Sequence, residues 1–286
     1  MDPTRGRCDA RVMISGAADD RVLASTRAVA WFIMPFLLVA FAVLWPVPTD
    51  TATLFAWHIT PTLTPMFLGA AYLGGAYFFV RAGRATQWHT IKGGFVPVAT
   101  FATLLGIATI VHWDKFHHSH PAFWLWAGLY FTTPFLIAVV YLRNSRHMAP
   151  GADDALRLSA IAARLIGAAG ALAAATGLFL FLAPATAIRH WPWHLTPLTA
   201  RVLGAVFCLG LAGIGAFVDR RWTSARIPVQ VALVMLVLIV IAGVRARTEL
   251  ATGNALTWVF VAGFGGLTVA VAALYATMER RSRPTA

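Results

Sequence analysis

The chain has 286 residues, of which 59% are hydrophobic and 12% are charged, and its formal net charge at pH 7 is +12. A soluble globular domain carries about 25% charged residues, so this composition argues against one. The basic residues lie between apolar segments instead of forming one patch. We therefore interpret the charge as a sign of membrane topology and expect no nucleic-acid partner.

Eight apolar segments without Asp, Glu, Lys or Arg follow one another along the chain. They are residues 28–47, 62–80, 94–111, 121–142, 165–183, 202–218, 227–244 and 255–277. A helix needs about 20 apolar residues to cross a bilayer, and backbone groups in lipid must hydrogen-bond within the protein. The sequence therefore predicts an all-α integral membrane protein with eight transmembrane helices.

The basic residues also predict the orientation of these helices. All but five of the 23 arginines and lysines lie on one side of the predicted spans; the exceptions are Lys115, Arg189, Arg201, Arg245 and Arg247. Because cytoplasmic loops carry the excess of basic residues, we expect both termini in the cytoplasm. The excess of arginine over lysine is typical of GC-rich bacterial genomes, so we expect a bacterial plasma membrane.

A short motif occurs twice in the chain and predicts an internal repeat. Trp57-His58-Ile59-Thr60-Pro61 matches Trp193-His194-Leu195-Thr196-Pro197, and Leu68-Gly69-Ala70 matches Leu203-Gly204-Ala205. Four spans per copy give both copies the same orientation, related by an axis along the membrane normal. We expect a first unit of four helices over 1–146, a linker over 147–156 and a second unit over 157–286.

Each copy of the motif precedes a predicted span on the outer side. Thr60 and Thr196 are good N-cap residues, followed by proline at the first helical position, and Trp57, Trp191 and Trp193 suit the membrane–water boundary. Helix entry requires neither His58 nor His194. We therefore expect the protein to bind or pass a small or lipid-like ligand at an outward-facing site between the repeats. The candidate residues of this site are His58, Thr60, His194, Thr196 and Arg201.

The outer histidines leave a second hypothesis open, a metal- or haem-dependent membrane enzyme. Its candidate ligands are His58, His112, His117, His118 and His194, because imidazole is the commonest transition-metal ligand. It predicts that at least three of them converge on one point. Interfacial histidines without a metal are the alternative reading, and a structural or assembly protein is a third hypothesis. The sequence leaves open whether the protein is an enzyme.

One stretch resembles a known pattern. Trp191-Pro192-Trp193-His194-Leu195-Thr196-Pro197-Leu198-Thr199-Ala200-Arg201 is similar to a Trp-Pro-Trp-x-Leu-Thr-Pro-Leu-Thr-x-Arg motif of uncharacterised multi-span bacterial membrane proteins. The likeness covers these eleven residues. It implies a membrane protein of the same kind, and it implies no activity.

Overall fold

The computed structural model describes residues 20–147 and 156–283. Helices make up 81% of the structure, and the described residues contain no strand. The α-helices are α1 (Ala24–Leu44), α2 (Thr51–Leu54), α3 (Leu63–Arg84), α4 (Phe95–Val111), α5 (Pro121–Ser145), α6 (Ala160–Leu182), α7 (Pro184–His190), α8 (Pro197–Phe207), α9 (Leu211–Val218), α10 (Trp222–Arg245) and α11 (Ala255–Ser282).

All eight predicted spans are confirmed as helices that are long and apolar enough to cross a membrane. The third span begins at Lys92, in a 3₁₀ turn before α4, and the sixth is α8 and α9 joined by the 3₁₀ turn Cys208–Gly210. The expected boundary at 147–156 lies mostly in residues 148–155, outside the described ranges.

The helix α3 lies at the centre of the packing. It packs against α1 of its own half (residues 20–147) and against α8 and α10 of the second half (156–283). In its most apolar stretch, 78% of the residues are buried inside the protein, whereas none are buried in that of α11. Because α8 in turn packs against α6 and α4, contacts between the halves run through α3 and α8.

Close packing of α6 against α8 depends on glycines. A Cβ on Gly177 would lie 2.5 Å from the carbonyl oxygen of Gly204, and one on Gly204 would lie 2.6 Å from that of Gly177. Small residues of this kind let helix backbones approach closely, which is how helices associate in a membrane. This contact sets the position of α8, on which a candidate site residue lies.

Equivalent contacts occur in both halves at each end of the bundle. We call the end of the bundle that carries the start of α1 and of α10 the arginine end. There the Val22 N–H donates to the Thr86 carbonyl at 3.0 Å, and the Leu158 N–H donates to the Arg220 carbonyl at 2.8 Å. The two donors, Val22 and Leu158, are separated along the chain by nearly the same interval as the two copies of the motif. The same holds for the two acceptors, Thr86 and Arg220.

The helices α3 and α8 begin at the opposite end of the bundle, which we call the histidine end. There the His117 N–H donates to the Ala56 carbonyl and the Ala251 N–H to the Pro192 carbonyl, at 2.9 and 2.8 Å. These donors and acceptors are related by nearly the same interval along the chain as those at the arginine end.

Candidate functional site

The start of α8 is built as the sequence predicts. Thr196 is the N-cap: the Thr199 N–H donates to the Thr196 hydroxyl at 3.2 Å, and the Thr196 N–H donates to the Thr199 hydroxyl at 2.8 Å. This reciprocal capping box satisfies two backbone donors that the first turn would leave without partners. Pro197 occupies the first helical position, so the prediction for the second copy of the motif is confirmed.

The prediction that Thr60 caps the second span is wrong. The first copy of the motif contains one additional residue, and α3 begins at Leu63 with Thr62 as its N-cap residue. The carboxylate of Glu249, in the loop between α10 and α11, accepts the Thr62 and Leu63 N–H groups, each at 2.9 Å, and the Thr62 hydroxyl at 2.5 Å. A negative charge also suits the positive end of the helix dipole. The second half thus caps the central helix of the first.

The rings of the motif tryptophans Trp57 and Trp193 are buried in the protein, whereas we expected them to be exposed at the membrane boundary. Each is 3% exposed. The Trp57 ring packs edge-on against Trp126, with centroids 4.8 Å apart, and the Trp193 indole N–H donates to the Thr64 hydroxyl at 3.0 Å. Since these rings face other helices, they are core residues. The third expected boundary residue, Trp191, is half-buried.

Of the five candidate ligand-binding residues, Arg201 is the one whose side chain bridges the two halves in the described structure. His58, Thr60, His194 and Thr196 are exposed at the histidine end. Arg201 lies one turn into α8 and is half-buried, and its Nη1 donates to His112 Nε2 at 2.8 Å. His112 is the C-cap residue of α4, so this contact joins a helix of the first half to one of the second.

The environment of His112 favours its neutral form. Partial burial lowers the pKa of His112 from its ordinary value of 6.5, the Arg201 guanidinium lowers it further, and Asp114 acts in the opposite direction. Burial and a neighbouring cation both destabilise an imidazolium. A neutral imidazole leaves Nε2 free to accept the hydrogen bond from Arg201.

Two other histidines at the histidine end have separate contacts. The ring of His118 stacks on Trp113 with centroids 5.1 Å apart, and His120 caps α5 by accepting the Ala122 N–H at 3.2 Å. In the ranges 20–147 and 156–283, no group of three or more His, Cys, Asp or Glu side chains is placed to hold a metal ion. The metal or haem site stays a prediction from the sequence.

The sequence analysis did not predict two side-chain contacts at the histidine end, that of Glu249 with Thr62 and that of Arg201 with His112. Glu249 lies 187 residues from Thr62, and Arg201 lies 89 residues from His112. One signal was present: the interval along the chain from Lys115 to Glu249 nearly equals that between the two copies of the motif. Lys115 follows α4, and Glu249 follows α10. Nothing local indicates that the acidic residue contacts a helix of the other half.

The eight apolar spans indicate a multi-pass helical membrane protein. No family model, no curated protein and no solved structure matches the chain.

Proposed function

We propose that the protein binds an anionic small molecule or lipid-like amphiphile at the histidine end, between two parallel four-helix repeats, without transforming it. The observation that carries this proposal is the contact between Arg201 and His112. Within the described parts of the chain Arg201 has no carboxylate partner. A half-buried guanidinium held by a neutral imidazole retains its capacity to bind a carboxylate or phosphate group.

The equivalent contacts at both ends of the bundle support the repeat. Trp124 and Trp258, at matching positions of the two halves, each donate an indole N–H to a backbone carbonyl six residues earlier, at 2.9 and 3.2 Å. His120 and Asn254, which match in the same way, cap α5 and α11 by accepting the N–H of Ala122 and Leu256. Two units that fold alike and have the same even number of spans lie parallel in the membrane.

The distribution of charge supports an orientation with the arginine end in the cytoplasm of a bacterial cell. The histidine end, with Arg201, then faces outward. Next to His112 the apolar side chains of Ile110 and Val111 are 64% and 53% exposed. An amphiphile whose head group pairs with Arg201 would lay its hydrocarbon chain on this surface of α4.

The test uses the full-length protein in phosphatidylcholine nanodiscs, with dodecyl phosphate as the probe and calorimetry as the measurement. A hydrogen bond to a charged group contributes about 1.5–3 kcal/mol, so we expect Arg201→Gln to weaken binding by about ten- to a hundredfold. Arg201→Lys should restore part of it. Arg189→Gln is the control, because Arg189 is exposed at the same end. Equal affinity of the wild type and Arg201→Gln would refute the proposal.

The metalloenzyme alternative has its own measurement, an absorbance spectrum with elemental analysis of the purified protein. A Soret band, or a stoichiometric metal that His58→Ala or His194→Ala removes, would favour that alternative over ligand binding. A colourless, metal-free preparation whose anion binding depends on Arg201 is the result that we expect.

A further inference from the structure

A second polar site lies at the arginine end, also between the two halves. A cavity of about 320 Å³ separates the end of α3 from the start of α10. Three arginines contribute to its lining, which consists of Arg81, Arg84, Ala85, Thr86, Gln87, Thr90, Thr223, Arg226 and Ile227. Arginine side chains and hydroxyl groups together form the donor set that binds phosphate groups.

One of the three arginines is neutralised within the protein. Both Arg226 Nε and Nη2 donate to the Glu279 carboxylate, at 2.6 and 2.7 Å. This two-point contact has the geometry of a strong ion pair. Arg226 therefore adds donors and shape to the cavity but little net charge.

The other two arginines have neutral partners. Arg81 Nη1 donates to the Tyr77 hydroxyl and to Gln230 Oε1, at 2.9 Å each. The Arg84 guanidinium lies over the ring of Trp31, 6.0 Å from its centroid. Neither arginine contacts a carboxylate within residues 20–147 and 156–283. In this part of the chain, two positive charges thus face the cavity without an internal counter-ion.

The second half places a carboxylate at the corresponding position. Ala85 is the C-cap residue of α3, and Asp219 is the C-cap residue of α9. The interval along the chain from Lys92 to Arg226 is the same as that from Ala85 to Asp219, so Lys92 and Arg226 correspond as well. Asp219 pairs with Lys92 at 3.7 Å and with Arg221 at 2.8 Å. In the first half the equivalent of Asp219 is the methyl group of Ala85, which lines the cavity.

The acidic side chain of Asp219 behaves as a counter-ion. Burial alone would raise the pKa of Asp219, but hydrogen bonds from Arg221 hold this pKa well below its ordinary value. The carboxylate is therefore ionised at neutral pH. Arg226, which corresponds to Lys92, pairs with Glu279 instead. No carboxylate of the described residues contacts Arg81 or Arg84.

We propose that the cavity binds a phosphate monoester or inorganic phosphate, held by Arg81 and Arg84. The site is open to the arginine end, where the head groups of anionic lipids and soluble phosphates both have access. Thr223, in the first turn of α10, lines the cavity, so the positive end of this helix dipole lies near it. Basic pockets between transmembrane helices are typical sites for phosphorylated lipid head groups.

The comparison of Ala85 with Asp219 uses the repeat proposed above, but the site itself does not involve Arg201. The two binding proposals therefore fail separately. Binding that depends on Arg81 and Arg84 but is unchanged in Arg201→Gln would support this site whatever the result at the histidine end.

The experiment uses the full-length protein in two kinds of nanodisc, phosphatidylcholine alone and phosphatidylcholine with phosphatidate. Native mass spectrometry measures bound phosphatidate, and calorimetry in the first kind measures inorganic phosphate. We expect Arg81→Gln with Arg84→Gln to weaken binding by about a hundredfold, which is about tenfold for each charged donor removed. The control with equal charge loss is Arg280→Gln with Arg281→Gln, on exposed residues at the same end.

A second pair of variants tests the missing counter-ion directly. Ala85→Asp should supply an internal carboxylate and abolish anion binding, whereas Ala85→Asn, of similar size but neutral, should retain most of it. Should the double arginine variant not fold, Arg84→Gln alone replaces it, because Arg84 is exposed and its described contact is with a ring.

Each result distinguishes the possible ligands or decides against the site. Arginine-dependent retention of phosphatidate without binding of inorganic phosphate identifies a lipid head group. Binding of both probes identifies a site for the phosphate group itself. Binding of either probe that is unaffected by the arginine variants and by Ala85→Asp, or no binding at all, would overturn the proposal.

Discussion

The contact between Glu249 and the start of α3 leads to the strongest prediction about stability. Replacing Glu249 with alanine removes the side chain that caps the most buried span in the described structure. The Thr62 and Leu63 N–H groups then lose their acceptor, and Leu63 is fully buried. Because the contact joins the loop after α10 to α3, the change also removes a link between the two halves.

The magnitude follows from the hydrogen bonds that the substitution removes. A hydrogen bond to a charged group contributes about 1.5–3 kcal/mol, and a charge at a helix start contributes about 0.3–1 kcal/mol. Glu249 is only half-buried, so water replaces part of this stabilisation. We expect Glu249→Ala to lower the free energy of unfolding by about 2–4 kcal/mol. Glu249→Gln should cost about half as much, because its amide oxygen still accepts one bond.

Unfolding is measured in mixed micelles with increasing sodium dodecyl sulfate, followed by the fluorescence of the 11 tryptophans. The control is Asp114→Ala, which removes one negative charge at the same end from an exposed ion pair with Lys115. Such surface pairs contribute little to stability. If Glu249→Ala destabilised the protein no more than Asp114→Ala, the capping role of Glu249 would be refuted.

Three further predictions concern packing, buried polar groups and titration. Gly177→Ala should lower the free energy of unfolding by about 1–3 kcal/mol, since its Cβ would lie 2.5 Å from a backbone oxygen of α8. Gly263→Ala is the control in the same unfolding assay and should leave the stability unchanged, because no described atom lies within 4 Å of its Cβ. The buried hydroxyls of Tyr72 and Tyr130 lie 2.6 Å apart; Tyr130→Phe should cost about 1–3 kcal/mol and the double Phe variant less, which a double-mutant cycle measures. The lowered pKa of His112 means that the unfolded chain binds its proton more readily, so stability should be full above pH 6.5 and decline as the pH falls toward the folded pKa. An NMR titration of His112 that shows no lowering, or a free energy of unfolding that is unchanged below that pH, would contradict this last prediction.

The helices and the start of α8 were predictable because they depend on neighbouring residues. A span requires only a long apolar segment, and the capping box of Thr196 and Thr199 forms within one turn. The start of α3 was misplaced for a related reason. The rule that a threonine before a proline caps a helix uses only neighbouring residues. It therefore cannot predict the contact with Glu249, which lies 187 residues from Thr62 along the chain.

The tryptophans and histidines illustrate a different difficulty. An indole suits both the membrane boundary and a protein core, and only the helices packed around Trp57 and Trp193 decide between them. The neighbouring histidines His117 and His118 suggest a shared ligand, because imidazole is the commonest transition-metal ligand. In the structure His118 stacks on an aromatic ring, and His120 caps a helix.

The class of protein was thus determined by the sequence, because hydrophobic length and charge distribution act along the chain. The binding surfaces that we propose depend on which helices become neighbours. Only the packing of α3 against α10 places Arg81 and Ala85 on the same cavity as Arg226, and only that of α8 against α4 brings Arg201 to His112. Charges from distant parts of the chain form the proposed sites only because the fold brings them within a few ångströms of each other.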